Sequence, residues 1–295
     1  MTQALIGIMG GSGLYQMEGL ENAREHIVNT PFGAPSDALI TGNLHGVSVA
    51  FLARHARGHR LLPSEVPYRA NIYAMKQLGV RWLISVSAVG SLREHILPLD
   101  MVLPDQFIDL TKRRDNTFFG RGAVAHVSMA QPVCNVVASA LAAAVTAVLN
   151  SENIDSTALR PTVHERGTYV CIEGPHFSSM AESHWYRSMG ADVIGMTNLP
   201  EAKLAREAQM AYATLAMVTD FDCWHPVEAH VTANMALANL LKNAGRAQQV
   251  VAHAIGLLAA ETRASSAHPA LQSALVTQPE AMTAEVLARL EVILR

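Results

Sequence analysis

The stretch Tyr68–Ser91, "YRANIYAMKQLGVRWLISVSAVGS", contains a helix, a stop and a strand in one run. Tyr68–Leu78 reads as a helix closed by Gly79, since glycine takes the left-handed conformation that ends a helix without steric cost. Trp82–Ser87 then reads as a buried strand, and the small polar residues of "SAVGS" follow it. A helix feeding an apolar strand with polar residues at its end is the unit of an α/β sheet. In such sheets ligands gather at the carboxyl ends of strands.

The same unit recurs along the chain. Further strands are expected at Leu5–Met9, Val47–Ala53, Met101–Leu103, Thr168–Ile172, Asp192–Met196 and Tyr212–Thr219. Helices are expected at Pro132–Leu149, Ser179–Met189 closed by Gly190, Pro200–Gln209 with proline in its first turn, and about 231–262. A polar stretch at 263–273, "RASSAHPALQS", precedes a last amphipathic helix, Met282–Arg295. We read a single domain over residues 1–262, with 263–295 as a C-terminal helical extension of it.

Composition narrows the function. Half of the 295 residues are hydrophobic and only 16% are charged, which argues for a folded core and against disorder. A net charge of −3 offers no basic footprint for nucleic acid. Cys134, Cys171 and Cys223 are odd in number and far apart, so neither a disulfide framework nor a cysteine metal pair is expected. No signal peptide and no bilayer-spanning run is read, and a cytoplasmic location is expected.

Polar signals cluster after the strands. "GIMGGSG", Gly7–Gly13, is a strand and a glycine-rich turn whose N–H groups, with Ser12, could approach an anion. It is neither GxGxxG nor a Walker loop, and by itself it fits an ordinary tight turn equally well. "FLARHARGH" puts Arg54 and His55 at the end of an apolar strand, a guanidinium fork and an imidazole donor suited to phosphate. Ser87 in "SVSAVGS" and Thr197 in "GMTN" add hydroxyls at two more strand ends. Ser12, Arg54, His55, Ser87 and Thr197 could together wrap one phosphate. No GxSxG elbow, HExxH motif or paired cysteines point to a serine hydrolase or a metal site.

"AMVTDFDCW", Ala216–Trp224, ends an apolar strand in Asp220 and Asp222. In extended chain these side chains share a side, so they need a donor or must share a proton. Such a pair could accept from an exocyclic amine and deliver a proton to a ring nitrogen. An acidic strand-end loop in water is the plainer alternative.

Seven segments in order, "GGSGL", "ARHARGH", "SAVGSLRE", "DQFIDLT", "IEGPHFSSMAES", "GADVIGMTNLPEAKLAREA" and "VTDFDCW", resemble the methylthioadenosine phosphorylases, among the trimeric purine nucleoside phosphorylases. The similarity runs from about residue 4 to about 245. It implies a mixed, distorted β-barrel-like sheet surrounded by helices, and a homotrimer with active sites shared between subunits. It implies phosphorolysis of methylthioadenosine to adenine and 5-methylthioribose 1-phosphate, with no metal or organic cofactor. Ser12, Arg54, His55, Ser87, Thr197 and the Ala88 backbone fall on phosphate positions. Met196 falls on the ribose contact, Phe177 over the purine, and Ser178, Asp220 and Asp222 on base contacts. Asp220 would protonate the purine N7, with Asp222 in support. His126 matches a histidine reaching a neighbouring subunit's 5′ pocket.

Two departures stand out. Ala233 and Ala236, which with Leu237 would form an apolar face for the methylthio group, replace bulkier side chains. His176 stands where the motif normally has arginine. A broader purine nucleoside phosphorylase acting on adenosine or inosine, a hydrolase and a silent nucleoside-binding protein are the competing readings.

Overall fold

The computed structural model describes residues 5–11, 17–152, 160–227 and 231–295, apart from the side chains of Ala236 and Leu237. In chain order the strands begin with β1 (Ile6–Gly10), β2 (Leu20–His26), β3 (Leu39–Leu44) and β4 (Val47–Ala53). Helix α1 (Tyr68–Gln77) leads into β5 (Trp82–Ser91), β6 (Met101–Val102) and β7 (Gln106–Asp109). Then come α2 (Asn135–Ser151), β8 (Val163–His164), β9 (Thr168–Cys171), α3 (Met180–Ser188) and β10 (Val193–Gly195). The chain ends with α4 (Asn198–Glu207), β11 (Ala211–Asp220), α5 (Ala233–Ala259) and α6 (Ala284–Leu294). Among the described residues, no helix is long and apolar enough to cross a membrane.

The α/β reading holds, with helices on both faces of one mixed sheet ordered β2-β3-β4-β1-β5-β10-β9-β7. β5 is its branch point. Its first half lies between β1 (Ile6↔Trp82 to Met9↔Ser85) and β11 (from Ala211↔Trp82), both parallel. Its last residues pair antiparallel with β10, Ile194↔Gly90 and Val193↔Ser91. β11 carries β6, and β6 carries β8. The limbs diverge from β5, and β2 and β7 do not pair with each other, so the sheet curls without closing into a barrel.

Alternation along the strands builds two cores. Ile6, Ile8, Ile84, Leu215 and Met217 point towards α2 and α5, where Val137, Leu141, Val250 and Ile255 meet them. Met9, Leu83, Tyr212 and Val218 point to the other side, against Ile72, Met75, Leu204, Leu290 and Ile293 of α1, α4 and α6. This period of two is what a sheet covered on both faces requires.

The expected strand Trp82–Ser87 continues through Ser91, because β10 and β11 pair with the serine- and glycine-rich segment expected to lie beyond the strand. Four strands, β2, β3, β7 and β8, had no sequence signal. β2 reads "LENAREH", mostly exposed and carrying Glu21, Arg24 and Glu25, as suits a protected edge. Each expected helix forms, with ends shifted by a few residues.

β9 and β10 pack closely because residue 195 is glycine: a Cβ there would lie 2.0 Å from the Tyr169 hydroxyl oxygen. Gly195→Ala is expected to lower stability by about 1–3 kcal/mol through overpacking. Gly245→Ala, inside α5 with nothing within 4 Å of the added carbon, is expected to raise it by about 0.5–1 kcal/mol. Urea midpoints of the two variants check both signs.

Candidate active site

The carboxyl ends of β4, β1 and β11 and the bend of β5 open onto one cavity of about 260 Å³. Of the residues named from sequence, Arg54, His55, Ser87, Ala88, Phe177, Ser178, Met196, Thr197, Asp220 and Asp222 line it. Ser12 and the side chains of Ala236 and Leu237 lie outside the described residues. Ala233 is exposed at the start of α5, and the α5 wall of the cavity is formed by Leu240, Ala244 and Ala247, further along the helix. His126 lines a second, separate cavity with Phe119, Val124, Lys203 and Glu207. His176 is exposed beside the base loop.

Arg54 follows directly after β4 and is only 2% exposed. Its fork does not open freely into the cavity. Nε donates to Glu201 Oε2 at 2.6 Å, and Nη2 donates among Glu201 Oε1, Ser85 Oγ and the Met9 carbonyl. Nη1 donates to the Val86 carbonyl at 3.0 Å. Of five N–H groups, one on Nη1 remains without an acceptor among the described residues. Burial works against the Arg54 charge, but the Glu201 carboxylate more than restores it. Ser85 and Tyr212 also donate to Glu201 Oε1, at 2.7 and 3.0 Å. Asn198 Nδ2 continues the network to the hydroxyls of Tyr212 and Thr214.

Around this pair lie neutral donors. Ser87 Oγ is 3.3 Å from Thr197 Oγ1 and 3.5 Å from the Tyr169 hydroxyl. Burial pushes the His55 imidazole down to about 4; the Leu61 carbonyl opposes this, and Arg54, His59 and Arg114 add to it. His55 is therefore neutral at ordinary pH. Its ring stacks on His59 with centroids 4.3 Å apart.

Among the described residues the aspartates meet no cation. β11 bulges between Val218 and Asp220, which pairs with Gly90, and the chain then turns, with Asp222 at φ 53°. The two are thus not successive residues on one strand face. Asp220 Oδ1 accepts the Asp222 backbone N–H at 2.7 Å, and Oδ2 accepts the Thr219 hydroxyl at 2.7 Å. Gly90 leaves room for this carboxylate, since a Cβ there would sit 2.8 Å from Oδ1. Burial raises Asp220 to about 6, against its two hydrogen bonds and with help from the Asp222 charge. Burial raises Asp222 as well; the Ser183 and Ser178 hydroxyls approach it without reaching hydrogen-bond geometry. The cavity thus sets two buried acids with raised pKa values opposite a cluster of buried donors, an arrangement common where protons are exchanged. Among the described residues, no group of three or more His, Cys, Asp or Glu could hold a metal ion.

The sequence profile of the phosphorylase superfamily matches residues 5–256. The chain belongs to the phosphorylase superfamily. This superfamily member is 58% identical over 294 residues to the S-methyl-5'-thioadenosine phosphorylase of Synechocystis sp., covering 100% of this chain and 88% of that protein. Identity to the enzyme of the same name from Thermosynechococcus vestitus is 54% over 291 residues, 99% and 98% of the two chains. The crystal structure of a methylthioadenosine phosphorylase from an antarctic soil metagenomic library superposes with a TM-score of 0.94 at 60% identity, over the whole of both chains. The Schistosoma mansoni methylthioadenosine phosphorylase in complex with adenine gives 0.82 at 39% identity, over 88% of this chain and 93% of that one.

Sequence reasoning missed Glu201, Tyr169 and Arg114. Arg114 sits in a basic run, "KRRD", yet it is buried and donates to Glu173, to the carbonyls of Met196, Leu199 and Glu173, and to the Tyr68 hydroxyl. It thereby fixes the Ile172–Pro175 loop against the start of α4. The acid at the first turn of "LPEAKLAREA" was the available signal for Glu201, but nothing local says that it is buried.

Removing Glu201 leaves Arg54 charged and alone, so Glu201→Ala is expected to destabilise by about 3–5 kcal/mol in urea unfolding. Asp220 has the opposite sign. Its folded pKa lies above the ordinary 3.8, so the folded state binds more protons between about pH 4 and 6, and stability falls as pH rises through that window. Asp220→Asn removes the penalty. The variant is expected to be more stable by about 3 kcal/mol at pH 8, by about half that at pH 5, and by almost nothing near pH 3.

Proposed function

We propose that the chain catalyses phosphorolysis of S-methyl-5'-thioadenosine, yielding adenine and 5-methylthioribose 1-phosphate. The observation carrying this reading is Asp220, raised by burial to about 6 in the same cavity as Arg54, His55, Ser87 and Thr197. The shared name of full-length relatives supports the choice of substrate.

Cleaving a purine from ribose leaves negative charge on the base and a cation-like sugar. Asp220 delivers a proton to N7 of the leaving adenine, and Asp222 assists and accepts from the 6-amino group. Phosphate rests on the free Nη1 N–H of Arg54, on Ser12, Ser87 and Thr197, and on the Ala88 backbone, and it attacks C1′. Its charge also steadies the sugar. Met196 packs against the ribose, and Phe177 and Ser178 bound the purine. The apolar residues Leu240, Ala244 and Ala247 suit a methylthio group better than a 5′-hydroxyl, and we assign Ala233, Ala236 and Leu237, on the preceding turns of α5, to the mouth of that pocket. His126 is assigned to a neighbouring subunit's 5′ pocket, within a cytoplasmic homotrimer. The reaction uses inorganic phosphate as co-substrate and no cofactor.

The test is a product assay on methylthioadenosine, adenosine and inosine, with and without phosphate. Adenine release that requires phosphate and is fastest with methylthioadenosine is expected. Equal rates without phosphate would make water the nucleophile, and binding without turnover would make the protein a nucleoside carrier. Asp220→Asn is expected to lower turnover of 6-amino substrates by about 10²- to 10⁴-fold while binding persists.

A further inference from the structure

The cavity has an acceptor where an anion would seek a donor. His55 Nδ1 lies 2.8 Å from the Leu61 carbonyl oxygen. A carbonyl only accepts, so Nδ1 carries the hydrogen, and in a neutral imidazole Nε2 is then a bare lone pair. Among the described residues no protein group meets Nε2, and it is not sealed off: His55 lines the cavity.

The surroundings resist a second proton on this ring. It is buried, and Arg54, His59 and Arg114 all disfavour added positive charge. Glu201, the buried carboxylate nearest Arg54, is occupied by that guanidinium and by Ser85 and Tyr212. Asp220 and Asp222, on β11 and the turn beyond it, hold their own protons more firmly than free acids do. The other protein groups of the cradle are donors or hydroxyls, which adapt to either kind of oxygen.

We propose that His55 Nε2 accepts a hydrogen bond from the P–OH of hydrogen phosphate and thereby selects phosphate over sulfate at the anion end of the cavity. The proposal rests on the reading of this cavity as a phosphate site. Inorganic phosphate keeps at least one P–OH wherever the protein is folded. Sulfate has nearly the same size and charge but no proton, and it would set an oxygen lone pair against a nitrogen lone pair. An unmade buried hydrogen bond of this kind corresponds to about 10- to 100-fold in affinity. Sulfate escapes that loss only if His55 takes up a proton.

Titration of the full-length protein with inorganic phosphate and with sulfate at about pH 8, followed by calorimetry, tests this. The wild type is expected to bind phosphate about 10- to 100-fold more tightly than sulfate. Sulfate affinity is expected to rise on descending below about pH 6 towards pH 5, and by more than phosphate affinity does, since Asp220 loses its charge for both anions over the same range. In His55→Gln, whose amide can turn either a donor or an acceptor to the anion, the ratio is expected to approach one. His59→Ala, which leaves the Leu61 contact in place, is expected to keep it. Equal binding of the two anions by the wild type, or a ratio unmoved by His55→Gln, would overturn the role of His55 and leave the phosphate site standing. Binding of neither anion would overturn the phosphate reading itself. If His55→Gln does not fold, the pH dependence of sulfate binding to the wild type decides: a rise no larger than that of phosphate refutes the proposal.

Discussion

A guanidinium with 2% exposure stays charged only if an anion lies against it, and the fold is organised around meeting that demand at Arg54. Glu201, fully buried at the start of α4, is the answer. Because Arg54 follows β4 and its partners include Met9, Ser85, Val86 and Glu201, one side chain binds β1, β4, β5 and α4 together at the cavity floor. Tyr212 and Ser85 also donate to Glu201, so both carboxylate oxygens are hydrogen-bonded, and one Nη1 N–H of Arg54 is left over on the cavity side of the network.

That pairing has an electrostatic consequence for the proposed reaction. Arg54 and Glu201 cancel, and His55 is neutral, so the anion of the proposed reaction would be held mainly through hydroxyls, backbone and one guanidinium N–H. A dianion bound there keeps charge that a fully cationic site would have neutralised. A cation-like sugar forming beside it profits from that charge only in the transition state, which is where binding energy accelerates a reaction.

The acids at the other side of the cavity are governed by desolvation instead of by a partner. Asp220 is held by the backbone N–H of Asp222, and Asp222 adopts a left-handed conformation that aspartate tolerates better than most residues. The chain turns back on itself and supplies its own donor. This satisfies geometry without supplying a positive charge, and a carboxyl so placed holds its proton up to about pH 6. Stability is sacrificed at the same side chain where the proposed chemistry needs an acid, as is common in enzyme sites.

Local pattern was enough to read the buried strands, the helices and the residues at strand ends. Apolar runs such as Trp82–Val86 and Ala211–Val218 and stops such as Gly79 and Gly190 act within a few residues of themselves. The exposed edge strand Leu20–His26 left no such trace, because it is held by pairing with β3 and not by any apolar face of its own. The same limit applies inside the site. The sequence by itself determined which side chains could bind an anion or give up a proton: Arg54, His55, Ser87, Thr197, Asp220 and Asp222. Only the tertiary structure decided how they are used, since Glu201 lies 147 residues from Arg54 in the chain, and the Leu61 carbonyl fixes the tautomer of His55. Charge cancellation, tautomer and pKa depend on burial and on distant partners, which no short stretch of sequence encodes.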